Sequence, residues 1–175
     1  MKRVLVLSAS PRKNGNSDLL CHRFIEGAQE AGHEAELIWL YDRNIEFCRA
    51  CYACFRTGKC VLKDDMAEIL EKMQAADVLV IATPTYFLTL NGKLTTALDR
   101  FLPKWQELGG HDVYFIITGH DQRSGLKLVA DELTSIFESL GNHVRAIIWG
   151  EGVWQKGEVL STKAMDEAYQ AGRVL

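Results

Sequence analysis

Five short apolar runs, each followed by a longer stretch with helical spacing, constrain this chain more than any other feature. The runs are Arg3 to Leu7 (RVLVL), Glu36 to Leu40 (ELIWL), Val78 to Ala82 (VLVIA), Val113 to Thr118 (VYFIIT) and Val144 to Trp149. Runs this rich in Val, Ile and Leu belong to strands buried on both faces, which implies a parallel sheet with helices on each side. Between them the apolar residues recur at helical steps. Leu20, Phe24 and Ala28 share a face in a helix predicted over Ser17 to Ala31. Leu126, Val129, Ala130, Leu133, Ile136, Phe137 and Leu140 share one over Leu126 to Leu140. Further helices are predicted over Asp65 to Ala75, capped by Asp64 or Asp65, over Asn91 to Leu102, and over Ser161 to Arg173. Five βα units in 175 residues make one doubly wound α/β domain, residues 1–175, because no linker, repeat or low-complexity segment marks a boundary.

Composition narrows the function classes. At 47% hydrophobic and 25% charged, the chain can bury a core without disulfides. A net charge of −3 points neither to nucleic acid nor to an anionic membrane. No window approaches the apolar length of a membrane span. The run Val4 to Leu7 is too short for a signal-peptide core, and a polar, basic loop follows it. The expectation is a cytoplasmic protein whose thiols stay reduced.

In a doubly wound sheet, ligands meet the carboxyl ends of the strands. The first such loop, Ser8-Ala9-Ser10-Pro11-Arg12-Lys13-Asn14-Gly15-Asn16-Ser17, runs into a helix N-terminus. Backbone amides and the helix dipole favour an anion there. Ser10, Asn16 and Ser17 can add donors, and Arg12 can add charge-assisted bonds. The loop matches neither G-x4-G-K-[ST] nor G-x-G-x-x-G. It can also be read as a plain polar turn capped by Asn16 or Ser17. After the third strand comes Thr83-Pro84-Thr85-Tyr86-Phe87, where a flat ring could lie against the amides of Thr85 to Phe87. A surface turn with packed aromatics is the plainer alternative. After the fourth strand comes Thr118-Gly119-His120-Asp121, with Gly119 allowing close backbone approach.

Four of five cysteines fall in Phe47 to Met66 as C-x2-C-x2-C-x5-C: Cys48, Cys51, Cys54 and Cys60. Four thiolates at this spacing can surround a 4Fe-4S cluster. The x5 gap and Val61 after the last cysteine depart from a bacterial ferredoxin run. Zinc is a second option, although structural zinc usually uses two separated pairs. A third option is free or packed thiols in a hydrophobic flap carrying Phe47, Tyr52 and Phe55. Cys21, beside Leu20, reads as core.

The pattern S-x-S-P-R-x-x-G-N-S, the later P-T-Y and the K-x5-D-R of Lys93, Asp99 and Arg100 resemble the NADPH-dependent FMN reductase branch of the flavodoxin-like superfamily. The likeness runs over nearly the whole chain. It implies a flavodoxin-like three-layer sandwich with a five-stranded parallel sheet of order 2-1-3-4-5. It implies FMN, with Ser8, Ser10, Pro11, Arg12, Asn14, Gly15, Asn16 and Ser17 around the phosphate. Pro84, Thr85, Tyr86 and Phe87 would line the ring, with Thr118, Gly119 and His120 nearby. Ala9-Ser10 stands where relatives usually carry Gly-Ser. No residue is expected to be catalytic, and Asp99 with Arg100 is expected to be a structural ion pair. The cysteine spacing resembles that of the iron–sulfur flavoproteins, a subgroup that pairs FMN with a 4Fe-4S cluster, and implies Cys48, Cys51, Cys54 and Cys60 as metal ligands.

The resemblance implies an oxidoreductase passing electrons from NAD(P)H or a ferredoxin-like donor to a small-molecule acceptor such as a quinone. The alternatives are a non-enzymatic FMN electron carrier or redox-sensing module, and a flavin-free phosphate-binding domain. A homodimer or homotetramer is expected, with Phe87, Leu88, Leu90, Trp105 and Trp154 as candidate contacts.

Overall fold

Buried strands and amphipathic helices alternate along the chain as the spacing predicts; the computed structural model describes residues 1–175. The strands are β1 (Arg3–Ser8), β2 (Glu34–Trp39), β3 (Val78–Pro84), β4 (Asp112–Thr118) and β5 (His143–Gly150). The helices are α1 (Asn16–Glu30), α2 (Cys54–Thr57), α3 (Met66–Ala75), α4 (Gly92–Asp99), α5 (Arg123–Ser139) and α6 (Ala164–Arg173). All strand pairs are parallel, in the order β2-β1-β3-β4-β5. This is the expected flavodoxin-like sheet.

Alternation along β1 divides the core into two layers. Val4 and Val6 face Leu20, Phe24 and Ala28 of α1 and Ala164 and Ala168 of α6. Leu5 and Leu7 face the other layer, with Met66, Ile69 and Met73 of α3, Leu94 of α4 and Leu126, Leu133 and Phe137 of α5. Strands β1, β3 and β4 are buried almost throughout, whereas β2 and β5 at the sheet edges alternate with exposed positions. Helices α1 and α6 approach backbone to backbone at Gly27 and Gly172, where an added Cβ would strike the facing main chain.

Several boundaries differ from the expectation, most clearly at α4 and in the closing segment. Asn91 caps α4 instead of opening it, its Oδ1 accepting from the Lys93 amide at 2.8 Å. That helix stops at Asp99 and a separate 3-10 turn, Leu102–Lys104, carries Pro103, which has no N–H to continue the ladder. The closing segment splits into a 3-10 turn at Glu158–Ser161 and α6. The single turn α2, inside the cysteine loop, had no spacing signal.

With β1 flanked by β2 and β3, the chain reverses its winding direction beside β1. The loops after β1 and β3 therefore leave the sheet on either side of a crevice.

Candidate functional site

One cleft at the carboxyl edge collects residues from four loops. Arg12 and Asn16 come from the loop after β1, Pro84, Thr85 and Tyr86 from that after β3, and Thr118, Gly119 and His120 from the end of β4. Val153 and Trp154 come from the loop after β5. The sequence reading missed this fourth contribution, although in a parallel sheet every strand delivers its carboxyl end to the same edge.

The first loop is an anion cradle made mainly of main chain. Helix α1 is fifteen residues long, and the amides of Asn16, Ser17 and Asp18 in its first turn donate to no acceptor in the chain. Unpaired N–H groups at a helix N-terminus are the standard receptor for phosphate. The side chains also bond within the chain. Asn16 Nδ2 donates to Gln155 O at 2.9 Å, and its Oδ1 accepts from the Gly157 and Val159 amides. Ser17 Oγ lies 2.6 Å from Thr118 Oγ1. Both side chains brace the cradle, while Asn16 keeps a second Nδ2–H and the hydroxyl pair one unspent O–H. Neither caps α1, whose N-cap is Gly15. Asp18 accepts from the Asn14 amide at 2.7 Å. Ser10 Oγ bonds within the turn, to the Arg12 amide and carbonyl. Ser8 Oγ is buried and has no hydrogen-bond partner. Arg12 Nη1 donates to Trp154 O at 3.0 Å, which leaves its other N–H groups for the cleft.

The cleft beside Thr85 and Gly119 is shaped by close approach. At Gly119 an added Cβ would lie 2.7 Å from Leu126 Cδ2 and strike Thr85 Oγ1. Only glycine lets the loops after β3 and β4 meet there. The Thr85 amide donates to Thr118 O and the Tyr86 amide to Thr89 O, so of the three amides expected to face a ligand only that of Phe87 is unengaged. Burial pushes the Tyr86 phenol up, so it stays neutral at ordinary pH. The His120 and Trp154 rings meet edge to face with centroids 5.9 Å apart. Phe87 does not line the cleft. It projects fully exposed from a tight turn between Tyr86 and Thr89. Ser8, Ser10, Pro11, Asn14, Gly15 and Ser17 are not among the residues that line this cleft. Of the candidate oligomer contacts, Phe87, Leu88, Trp105 and Trp154 are exposed, but Leu90 is buried in the core and offers no surface.

FMN needs an anion receptor and a flat slot side by side. Three unpaired helix amides, a part-free guanidinium and a glycine-walled crevice meet that requirement.

The cysteine loop builds a second cavity that shares no lining residue with the first. Cys48, Cys51, Cys54 and Cys60 all line it, with Val61, Leu62, Asp99, Arg100, Leu102 and Pro103 among its walls. Its neck is clamped. Asp65 accepts from the Asn44 amide at 2.7 Å, and Asp64 accepts from the Glu46 amide at 2.8 Å. Lys93 Nζ donates to Arg43 O. Arg100 corrects the expectation: it pairs not with Asp99 but with Asp64, Nη1 to Oδ2 at 2.7 Å and Nη2 to Oδ1 at 2.9 Å. Asp99 is its chain neighbour, and the Arg100 side chain turns instead toward the loop neck. The K-x5-D-R pattern thus fastens the cysteine loop. Four thiols around one cavity suit a metal cluster as a donor set, while no three metal-ligating side chains meet at one point. Ala50 and Tyr52, on either side of Cys51, adopt left-handed φ of 48° and 54°. No helix is long and apolar enough to cross a membrane.

The family model described as NADPH-dependent FMN reductase matches residues 2–155. An iron-sulfur flavoprotein of Archaeoglobus fulgidus is 43% identical over 98 residues, covering 56% of this chain and 48% of that protein. Iron-sulfur flavoprotein MJ1083 of Methanocaldococcus jannaschii is 38% identical over 101 residues, covering 58% of this chain and 52% of that protein. The matched stretch thus spans about half the length of these curated relatives. Among solved structures, the NAD(P)H:quinone oxidoreductase from Methanothermobacter marburgensis superposes with a TM-score of 0.77 at 22% identity, covering 98% of this chain and 96% of that one.

Proposed function

The chain belongs to the NADPH-dependent FMN reductase family, and from that premise we propose that it is an FMN-dependent oxidoreductase passing electrons from NAD(P)H, or a reduced protein donor, to a small acceptor such as a quinone. The observation that carries this reading is the convergence of four loops on one cleft beside the unpaired amides of α1. When bound, FMN would supply the redox chemistry, accepting hydride from NAD(P)H and releasing electrons to the acceptor. The residues bind and orient. The amides of Asn16, Ser17 and Asp18 and the Arg12 guanidinium receive the phosphate dianion. Pro84 to Tyr86 and Gly119 hold the ring plane. Trp154 and His120 wall the cleft on the side of the loop after β5. No side chain is asked to act as nucleophile or general base.

The finer reading adds a 4Fe-4S cluster on Cys48, Cys51, Cys54 and Cys60. It is supported by four thiols on one cavity and by the names of the curated relatives. A homo-oligomer and a cytoplasmic setting complete the proposal. A second reading, an electron carrier that meets a protein partner through the cysteine loop, is favoured by one feature. From Phe47 to Lys63 the loop carries Arg49, Arg56, Lys59 and Lys63 with no acid, and none of these four forms an ion pair.

The test is an absorbance spectrum of protein purified without oxygen, with iron, sulfide and NAD(P)H oxidation assayed on the same sample. Flavin bands with steady NAD(P)H oxidation support the reductase. Flavin reduced only by a protein donor supports the carrier. A protein that takes up no added FMN sinks both. About four irons per chain support the cluster, and flavin without iron removes it.

A further inference from the structure

The cysteine cavity has an unusual floor. Arg100 is 2% exposed along its side chain, and Asp64 is 1% exposed. Its two terminal nitrogens are spent on Asp64, and Nη1 also donates to Glu46 O at 2.7 Å. Its Nε–H has no acceptor. A buried donor left unpaired costs about 1–3 kcal/mol, and each such group in a native fold calls for a reason. The pairing with Asp64 is end-on, so the guanidinium cannot rotate and the Nε edge is held in one orientation. Arg100 lines the cavity together with all four loop cysteines, and the other walls there are largely apolar.

We propose that Arg100 is a positioning residue for an anionic iron–sulfur cluster on Cys48, Cys51, Cys54 and Cys60, its Nε–H being held for one of the ligating sulfurs. This rests on the cluster reading above. Thiolate ligands bring negative charge against the apolar walls Val61, Leu62, Leu102 and Pro103, which offer it no hydrogen bond, at a cost. A donor to sulfur offsets that cost, and offsets it more in the reduced, more negative state, so it raises the potential. Asp64 cancels the net charge of Arg100 and leaves an oriented N–H as its contribution. The same clamp joins Glu46 and Asp64, the two ends of the loop, so the donor and the ligands are fixed to one frame.

The experiment compares wild type with Arg100→Lys and with the double variant Arg100→Gln/Asp64→Asn. The double variant leaves no buried charge unpaired if the lysine form fails to fold. Each protein is reconstituted with iron and sulfide under argon and assayed for iron, sulfide and FMN per chain. The cluster is then titrated by EPR. We expect FMN content to hold while the cluster becomes harder to reduce by about tenfold in its one-electron equilibrium, roughly 59 mV. Loss of iron uptake in a variant that keeps FMN also supports the proposal. Full iron uptake with an unchanged potential overturns it and leaves the cluster reading standing. Wild type that takes up no iron overturns both.

Discussion

Ser17 Oγ and Thr118 Oγ1 lie 2.6 Å apart, both buried, and join the start of α1 to the end of β4. This bond fixes the anion cradle against the slot that would hold a ring. Replacing Thr118 with valine leaves the Ser17 hydroxyl buried and unpaired. The expected cost is about 1–2 kcal/mol by urea unfolding, with weaker FMN binding by fluorescence titration. Adding Ser17→Ala should recover part of the stability, because both partners are then apolar. A single variant as stable as wild type would count against the bond.

The Asp64–Arg100 pair should behave as a buried ion pair does when one partner is removed. Asp64→Asn alone leaves a guanidinium without its counter-charge and should cost about 3–5 kcal/mol. The double variant with Arg100→Gln should be less destabilised than that single variant. Urea midpoints of wild type and the two variants decide this. A loss under about 1 kcal/mol would mean that the neck of the loop relaxes around the charge.

His111 sets a pH window. Its ring is buried, Nδ1 lies 3.0 Å from Ala76 O, and Nε2 has no partner. Burial holds its pKa below the ordinary value, with Asp77 opposing but not cancelling the effect. The unfolded chain then takes up a proton that the folded chain refuses. The stability contribution is full above an ordinary histidine pKa of about 6.5 and is lost as pH falls toward the folded value. His111→Gln should flatten urea midpoints between about pH 7 and about pH 5. An equal slope in wild type and variant would place the dependence elsewhere.

Phe87 and Leu88 occupy left-handed φ of 49° and 62° between Tyr86 and Thr89, which bond in both directions. Positive φ at both central positions is the type I′ geometry, which favours Asn-Gly. Two bulky residues there carry strain, and Phe87 is 101% exposed. Phe87→Asn with Leu88→Gly should raise the stability of the monomer by about 1 kcal/mol. Thermal unfolding at two protein concentrations checks it. A concentration-dependent loss of Tm would instead mean that this turn packs into an oligomer.

Thiol reactivity should divide the five cysteines. Cys21 is fully buried, and burial, followed by the nearby Asp18, pushes its thiol well above the ordinary range. Cys48 and Cys51 are exposed, and Cys54 and Cys60 are partly exposed. In metal-free native protein a disulfide reagent should label loop cysteines and spare Cys21 until denaturant is added. Native labelling of Cys21, mapped by peptide mass, would contradict this packing.

Local spacing determined the sheet. The runs RVLVL, VLVIA and VYFIIT could be buried on both faces only as central parallel strands, and the periodicity around Leu126 to Leu140 could form only one helical face. The same spacing placed Arg12, Pro84 to Tyr86 and Gly119 at one edge, because strand direction alone decides where a loop emerges. Partners distant in sequence were decided by tertiary structure. Nothing near Arg100 marks Asp64 over the adjacent Asp99 as its counter-ion. Nothing in Asn16 or Ser17 reveals that their side chains are occupied by Gln155, Gly157, Val159 and Thr118. Loop residues Val153 and Trp154 carry no periodicity by which to be found. Periodicity reports burial, which each residue feels through its own element, whereas a hydrogen bond across more than a hundred residues exists only once the sheet has set both loops side by side.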